Sequence, residues 1–589
     1  MERGDPEHRR LAVIRVLRGR GGVLILVVGL LAAFVVCLGP VSNPDLPWHL
    51  AAGRWIAAAG AVPREDFLSW TMAGKPWVDF EWAAQLIYYG LDRAGGFAAL
   101  WAFKSVQFAA LTLLFAALLR LWRLAASWVG VAAPVFVAAL FPFLDIRPEA
   151  FSMLFFMIQL YILEKRRLGL LRMSDSVLLA VHGALYAVWA NLHPGFPVGL
   201  ALCACYGVGE LAHPPRRLRF VLPFALLAAG LAGSCLNPYG PRLYAVFWEH
   251  GKELPTMRRL IIEWGAPNFR NEYQYGYWAV ILFSYGGFLV ATARGVVLPA
   301  EHLVAVIVFS LFVSRSFRTT AYAMLLLYPL AVHAWKTVVS PSWWLYARPW
   351  VLGAALTAGS WQMGRFFREQ NYLRTFSSPQ RIAPERVCDF LRAEKPVLSK
   401  LPMFNTYNWG GYLGYALSPD YPVFMDGRYL FAGLLKRVAA DERHPGRWRK
   451  FMDEMGVDLA LLENNGHMIR SGRDIFWRAF DAYAMPRSEW ALVYWDSEGM
   501  VLVRRTKVPA DWLKRHEFRF LRPRDLRHLG LRILSRDVRE SDVSAEIDRY
   551  VREIGDPRES FGLTYWFREF KKGLAAGQPQ LQDRKPARR

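Results

Sequence analysis

The sequence predicts a polytopic α-helical membrane protein of about eleven transmembrane helices with a small C-terminal extracytoplasmic α/β domain. Three observations carry this. Hydrophobic residues make up 54% of the 589 positions, with 24 tryptophans. Apolar runs near the ~20 residues needed to cross a bilayer recur from Gly22 to about Phe366. Beyond that point the composition turns mixed, with short alternating segments of strand type.

The apolar runs fall at about 22–41, 97–120, 128–144, 149–164, 175–191, 195–211, 219–237, 276–293, 299–315, 318–337 and 347–365. The net charge of +23 comes from Lys and Arg clustered between these runs and in the C-terminal third. Membrane topology accounts for the former, and nucleic acid is set aside. RRLAVIRVLRGR before the first run, RLWR at 120–123, EKRRLGLLR at 164–172 and PPRRLR at 214–219 share one side, which the positive-inside rule makes cytoplasmic. The expected organisation is a cytoplasmic tail at 1–21 and a transmembrane domain at 22–366 with a first extracytoplasmic loop at 42–96. An extracytoplasmic α/β domain at 367–506 and a charged helical tail at 507–589, disordered at its end, complete it. YPVFMDG (421–427), VDLALLE (457–463) and WALVYWD (490–496) read as strands. The location is the inner (cytoplasmic) membrane. Cys37, Cys203, Cys205, Cys235 and Cys388 have no metal-ligand spacing and read as small buried thiols.

Polar residues at a membrane boundary are costly and point to function unless a structural role explains them. Most fall on the outer side: Asp45 and His49 in NPDLPWHLAAGRWI; Asp79 and Glu81 in GKPWVDFEW; Asp145, Arg147 and Glu149 in FLDIRPE; Asn191 and His193 in NLHPG; Asn237 and Tyr239 in LNPYGPRLY; Glu263 in IIEWGAPNF; and Arg315 and Arg318 in RSFR. Their convergence predicts one extracytoplasmic site. Each also has a plainer role. Asp45 and Asp79 stand where N-caps stand, ahead of helical patterns that read as interfacial; the first, 46–59, ends at Gly60. Arg147 snorkels, His193 lies in a short turn, and NPYG is a turn by composition. Asp79 and Glu81, two apart, share a side only in an extended segment, which weakens a metal pair. In NTYNWGGYL, Asn405 and Trp409 suggest a turn with an aromatic that stacks on sugars, or else a buried tryptophan; MDGR at 425–428 reads as a polar turn.

The order of these motifs resembles the GT-C class of integral-membrane glycosyltransferases: a first span, an outer Asp at its end, an interfacial helix closing with Gly, then Pro, G-x-P and a second interfacial helix. Protein O-mannosyltransferases (family 39) and lipid A aminoarabinose transferases belong to this class. The set NPDLPWHLAAGRWI, GKPWVDFEW, RPEAFS, NLHPGF, LNPYGPRLY, IIEWGAPNF, NTYNWGGYL and PVFMDGRY is similar to bacterial membrane proteins described as glycosyltransferase-like, over about residues 20–500.

The resemblance implies a polyprenyl-phosphate-linked sugar donor, a cell-envelope acceptor (glycan, lipid or protein) and inversion, with Asp45 as general base. It implies Arg315 and Arg318 as the phosphate clamp, with Arg147 and His193 in reserve. His49, Asn237 and Glu263 are auxiliary, and Asn405 and Trp409 belong to an acceptor platform. No cofactor is required by this chemistry, and a divalent cation enters only if Asp79 and Glu81 act as the class's acidic pair. This chain lacks the Asp-Glu pair of the mannosyltransferases after the first span, since Leu46 follows Asp45. The competing expectation is a non-catalytic membrane protein that binds, flips or scaffolds lipid-linked glycans.

Overall fold

The apolar runs become helices, and the chain divides into two units: Met1–Arg64 with Val78–Pro379, and Glu65–Trp77 with Gln380–Arg589. The computed structural model describes residues 6–212, 221–271, 274–313, 316–370, 384–470 and 477–576. The basic segment at 214–219, Arg315 and the QDRKPARR end of the tail lie outside the described residues.

The first unit contains α1 (Pro6–Cys37), α2 (Leu46–Ala59), α3 (Trp82–Leu121), α4 (Ala126–Ala139), α5 (Glu149–Arg167), α6 (Asp175–Leu192), α7 (Phe196–Leu211), α8 (Val221–Ser234), α9 (Leu243–Leu260), α10 (Tyr275–Ala293), α11 (Ala300–Val313), α12 (Thr320–Val338) and α13 (Pro341–Gln370). Each expected span is represented by a helix. Among the described residues three helices are long and apolar enough to cross a membrane by length and composition: Arg20–Cys37, Trp82–Leu121 and Tyr275–Ala293. Others are shorter than the runs suggested. The run at 128–144 stops as a helix at Ala139 because Phe141-Pro142-Phe143 turns into a 3-10 segment. Apolar side chains face outward on α1 (Leu24, Leu31, Val35), α10 (Leu282, Leu289) and α11 (Ile307, Leu311), the distribution expected of helices solvated by lipid. Buried aromatics such as Phe115, Phe136, Phe156, Tyr186 and Trp189 fill the interior.

Two local features position the site. The interfacial helix ahead of the second apolar run is continuous with it in α3, apart from a break at Gly95 and Gly96. Gly96, at φ 58° and ψ −149°, adopts backbone angles open essentially only to glycine. α2 ends at Gly60 as expected and rests against α3 through Gly53, where an added Cβ would meet the Gln85 carbonyl oxygen at 2.2 Å. That approach brings the α2 backbone against the first turns of α3. One amphipathic helix, α9, falls between the expected spans 219–237 and 276–293, where the sequence reading assigned no element.

The second unit is built on a sheet. Its strands are β1 (Met403–Asn405), β2 (Leu459–Glu463), β3 (Met468–Ile469), β4 (Arg478–Ala479), β5 (Trp490–Trp495) and β6 (Gly499–Arg504). The four-stranded sheet has order β1-β2-β6-β5, with β1 and β2 parallel and the other pairs antiparallel. Side chains alternate between its faces. Ala460, Leu492, Met500 and Leu502 enter one apolar cluster, and Leu459, Leu461, Ala491, Val501 and Val503 the other.

Three expectations are corrected here. YPVFMDG is not a sheet strand; Val423 makes one isolated bridge to Ser69. Segment 507–576 is not a separate tail: helices Leu526–Leu534, Glu540–Glu553 and Pro557–Ala575 insert Leu529, Val543, Ile547, Tyr550, Leu563 and Phe570 into the core on one sheet face. The first loop is likewise not one piece, since residues 65–77 pack with residues far along the chain. Trp70 Nε1 donates to the Met403 carbonyl (2.8 Å) and Thr71 Oγ1 to the Phe424 carbonyl (2.5 Å).

Candidate active site

Most of the polar residues singled out from the sequence and described in the first unit come together. The turn after α1 is held by Asp145, whose carboxylate accepts from Ser42 N–H (3.0 Å) and Ser42 Oγ (2.8 Å), and by Asn43, which donates to the Ile146 carbonyl (2.9 Å) and accepts from Asp45 N–H (3.1 Å). Asp45 occupies the N-cap position of α2, yet its carboxylate caps no backbone N–H. It is therefore available for other work. Burial raises its pKa against the opposing pull of Arg147 and Arg318.

His49 does not pair with Asp45. Its ring lies on Trp48, with centroids 3.7 Å apart, and its Nδ1 is 4.0 Å from Glu81 Oε2. Glu81 is flanked on its other side by His193, whose Nε2 stands 3.8 Å from Oε1. His193 Nδ1 accepts from Gly195 N–H (3.0 Å) and lies 2.7 Å from Ser152 Oγ. Ser152 Oγ itself accepts from Trp189 Nε1 (2.6 Å), so the serine donates to the ring and the ring proton sits on Nε2, facing Glu81. Burial, then Arg147 and Arg318, hold His49 neutral; burial, then Arg318, do the same for His193. Burial pushes Glu81 up to about 8, so it too is protonated at neutral pH.

Two arginines complete the cluster. Arg147 is bound bidentately by Glu263, at 2.9 and 3.0 Å. Burial opposes the ionised Glu263 carboxyl, but Arg147 holds it below its usual range. Arg318 is less engaged. Its Nε lies 4.0 Å from Glu149 Oε2 and its guanidinium 5.3 Å from the Trp264 ring centroid. The turn that carries Arg318 is tied to the Glu263 segment by Phe317 N–H donating to the Gly265 carbonyl (2.8 Å).

Asp79 is a structural residue. Its N–H donates to Tyr239 Oη (2.9 Å), and its Oδ1 accepts from Gln85 Nε2 (2.7 Å) and Glu81 N–H (3.4 Å). Asn237 shapes the turn that presents Tyr239, donating to the Ser234 and Gly240 carbonyls and accepting from Tyr239 N–H. Asp79 Oδ1 is thus taken up by Gln85 and the Glu81 N–H, while the Glu81 carboxyl is faced by the imidazoles of His49 and His193. Among the described residues no cluster of three or more His, Cys, Asp and Glu side chains is placed to hold a divalent ion.

Asn405 and Trp409 belong to the second unit and are buried. Asn405 donates to the Met425 carbonyl (2.8 Å) and accepts from Phe424 N–H (2.7 Å). Trp409 packs on Gly499, where a Cβ would meet its ring at 2.3 Å. The exposed-aromatic reading is thereby corrected: NTYNWGGYL begins a helix, Tyr407–Leu417, whose tryptophan needs that glycine. Arg315 lies outside the described residues. Ser152, Trp189 and Trp264 escaped notice in the sequence; only the three-residue spacing of Glu149 and Ser152, which puts both on one face of α5, signals one of them.

The fold is similar to the GT-C fold of solved glycosyltransferase structures. The oligosaccharyltransferase of Archaeoglobus fulgidus in its apo form superposes with a TM-score of 0.55 at 9% identity, covering 95% of this chain and 84% of that one. The same enzyme tethered to an acceptor peptide containing the NVT sequon gives 0.51 at 10% identity, over 83% and 75%. ArnT from Cupriavidus metallidurans, apo, gives 0.45 at 14% identity, over 82% and 97%. No protein-family model and no curated protein matches the chain.

Proposed function

We propose that this chain transfers a sugar from a polyprenyl-phosphate-linked donor to a cell-envelope glycan, lipid or protein on the extracytoplasmic face, with inversion. In this reading the inner membrane holds the first unit, the N-terminus is cytoplasmic and the C-terminal domain is extracytoplasmic. The observation that carries the reading is the uncapped, desolvated Asp45 carboxylate within electrostatic range of Arg147 and Arg318. Asp45 takes the proton of the acceptor O–H or N–H as that atom attacks the anomeric carbon. The bond from that carbon to the phosphate oxygen breaks on the opposite face. Charge gathering on the departing polyprenyl phosphate is met by Arg318, whose weaker engagement with Glu149 leaves it free to turn to an anion. Arg147, committed to Glu263, holds the frame. Glu81 and the two neutral histidines shape the wall beside Asp45 and keep added negative charge away from it. The fold likeness to an oligosaccharyltransferase supports the reaction class.

The test uses the purified full chain in lipid nanodiscs with polyprenyl-phosphate sugars and an envelope extract as acceptor, followed by mass spectrometry of the lipid and glycan pools. Transfer that disappears in Asp45→Asn supports the reading. Unchanged pools with every donor offered, together with unchanged lipid-linked and envelope glycans in a deletion strain, would sink it.

A further inference from the structure

Arg428, in the MDGR stretch, is one of the most enclosed cations of the second unit, at 4% exposure. Its Nη2 lies 2.7 Å from Asp66 Oδ1 and 2.7 Å from Asp426 Oδ2, and its Nε donates to Asp426 Oδ1 at 2.9 Å. The guanidinium carbon also sits 4.5 Å from the ring centroid of Trp77. Asp66 and Trp77 are the entrance and exit of the segment 65–77, the part of the first loop that packs in the second unit. A single side chain therefore grips both ends of this excursion, one by charge and one by stacking.

Just outside these two ends lie groups of the candidate site. Upstream, Pro63 O accepts from Tyr239 Oη (2.8 Å), which in turn accepts from Asp79 N–H. Downstream, Asp79 and Glu81 follow Trp77 within four residues. The excursion thus joins α2, whose N-cap is Asp45, to the start of α3, whose N-cap is Glu81, and its span is set where Arg428 binds it. The remaining contacts of the segment close its middle: Asp66 Oδ2 accepts from Ser69 Oγ (2.6 Å) and N–H (3.0 Å), and Trp70 N–H donates to the Val423 carbonyl (3.1 Å).

We propose that Arg428, acting through Asp66 and Trp77, is a positioning residue for the transfer reaction: it fixes the two ends of segment 65–77 and so the alignment of Asp45 with Glu81. The proposal rests on the glycosyl-transfer reading for its catalytic consequence, while its structural part stands on the clamp. Asp66→Asn removes one of the two carboxylates and leaves Arg428 paired with Asp426, so the buried cation keeps a counter-charge and the sheet its core.

The test compares the intact wild-type chain with Asp66→Asn and Arg428→Lys by amide hydrogen exchange and by kinetics. Exchange over residues 78–85 rises at least tenfold in both variants while β2, β5 and β6 exchange as in wild type; kcat falls about tenfold with donor KM unchanged. If Arg428→Lys does not accumulate, Ser69→Ala, which deletes one hydrogen bond to Asp66, shows the same pattern at smaller amplitude. Unchanged exchange over 78–85, or an equal rise across the strands, overturns the proposal, because the clamp then serves only the second unit. Variants that turn over at the wild-type rate overturn it as well. A tenfold exchange rise in the variants, with a wild-type protein that transfers no sugar, removes the transfer reading and leaves the clamp standing.

Discussion

His193 turns Nε2 to within 3.8 Å of Glu81 Oε1 while its Nδ1 is occupied by Gly195 N–H and Ser152. The contact has the geometry of a long ion pair but not its charge. Burial leaves the imidazole neutral and the carboxyl protonated at neutral pH. The wall beside Asp45 is thus uncharged under ordinary conditions, and Arg147 and Arg318, opposed by the Glu263 carboxylate, set the field at Asp45.

The raised Glu81 carboxyl has a consequence for stability. Between its ordinary value of 4.5 and about 8, the folded chain holds a proton that the unfolded chain has released. Stability therefore falls as pH rises through that window, and the contribution is largest below it. Glu81→Gln, which cannot ionise, is expected to flatten the decline. Thermal unfolding in detergent, followed by tryptophan fluorescence from pH 5 to 9, measures it; parallel curves for wild type and variant would remove Glu81 as the source.

Asp45→Asn keeps the size and hydrogen-bonding capacity of the side chain while losing the base. Because no backbone N–H depends on this carboxylate, the variant is expected to unfold at the wild-type temperature and to transfer sugar at least ~100-fold more slowly. The burial that raises the Asp45 pKa also predicts an acid limb in the wild-type pH-rate profile, with activity lost as the carboxylate takes up its proton. A variant that transfers normally sends the search for the base to Glu149.

What could be read from the sequence and what could not divide along contact distance. Helices α3, α5, α6, α10 and α12 follow from local apolar pattern, and the end of α2 at Gly60 from one residue type. The membership of 65–77 in the second unit rests on Asp66 meeting Arg428 and Trp70 meeting Met403, partners hundreds of residues apart that no local pattern encodes. Asp45, Glu81, Arg147, His193, Glu263 and Arg318, singled out through separate motifs, lie within electrostatic or ion-pair range of one another. Motif order could not distinguish Asp45, which caps nothing, from Asp79, which is spent on backbone and Gln85, because both precede helical patterns in the same way.

Trp409 illustrates the same limit and gives a further prediction. Its ring fills the space over Gly499, so Trp409→Ala is expected to cost about 3–5 kcal/mol through lost burial and the cavity left behind. Trp409→Phe retains most of the packing and is expected to leave acceptor KM unchanged. Urea unfolding of the two variants, with acceptor titration of the second, checks this. A selective rise in acceptor KM for Trp409→Phe with wild-type stability would restore the sugar-stacking role.

The two arginines are expected to respond differently to the same change. Lysine keeps the charge but loses the planar fork. Arg147 uses that fork on Glu263, with two bonds of 2.9 and 3.0 Å, so Arg147→Lys loses one bond and is expected to lower the unfolding temperature with little effect on donor KM. Arg318 lies 4.0 Å from Glu149 and over Trp264, and little of the fold depends on its fork. Arg318→Lys is expected to leave the unfolding temperature near wild type and to raise donor KM about tenfold, equivalent to about 1.4 kcal/mol of binding. Donor titration and thermal unfolding of both variants decide the assignment. A donor effect confined to Arg147→Lys would move the phosphate clamp to Arg147 and make the Glu263 pair a resting lock that the donor must open.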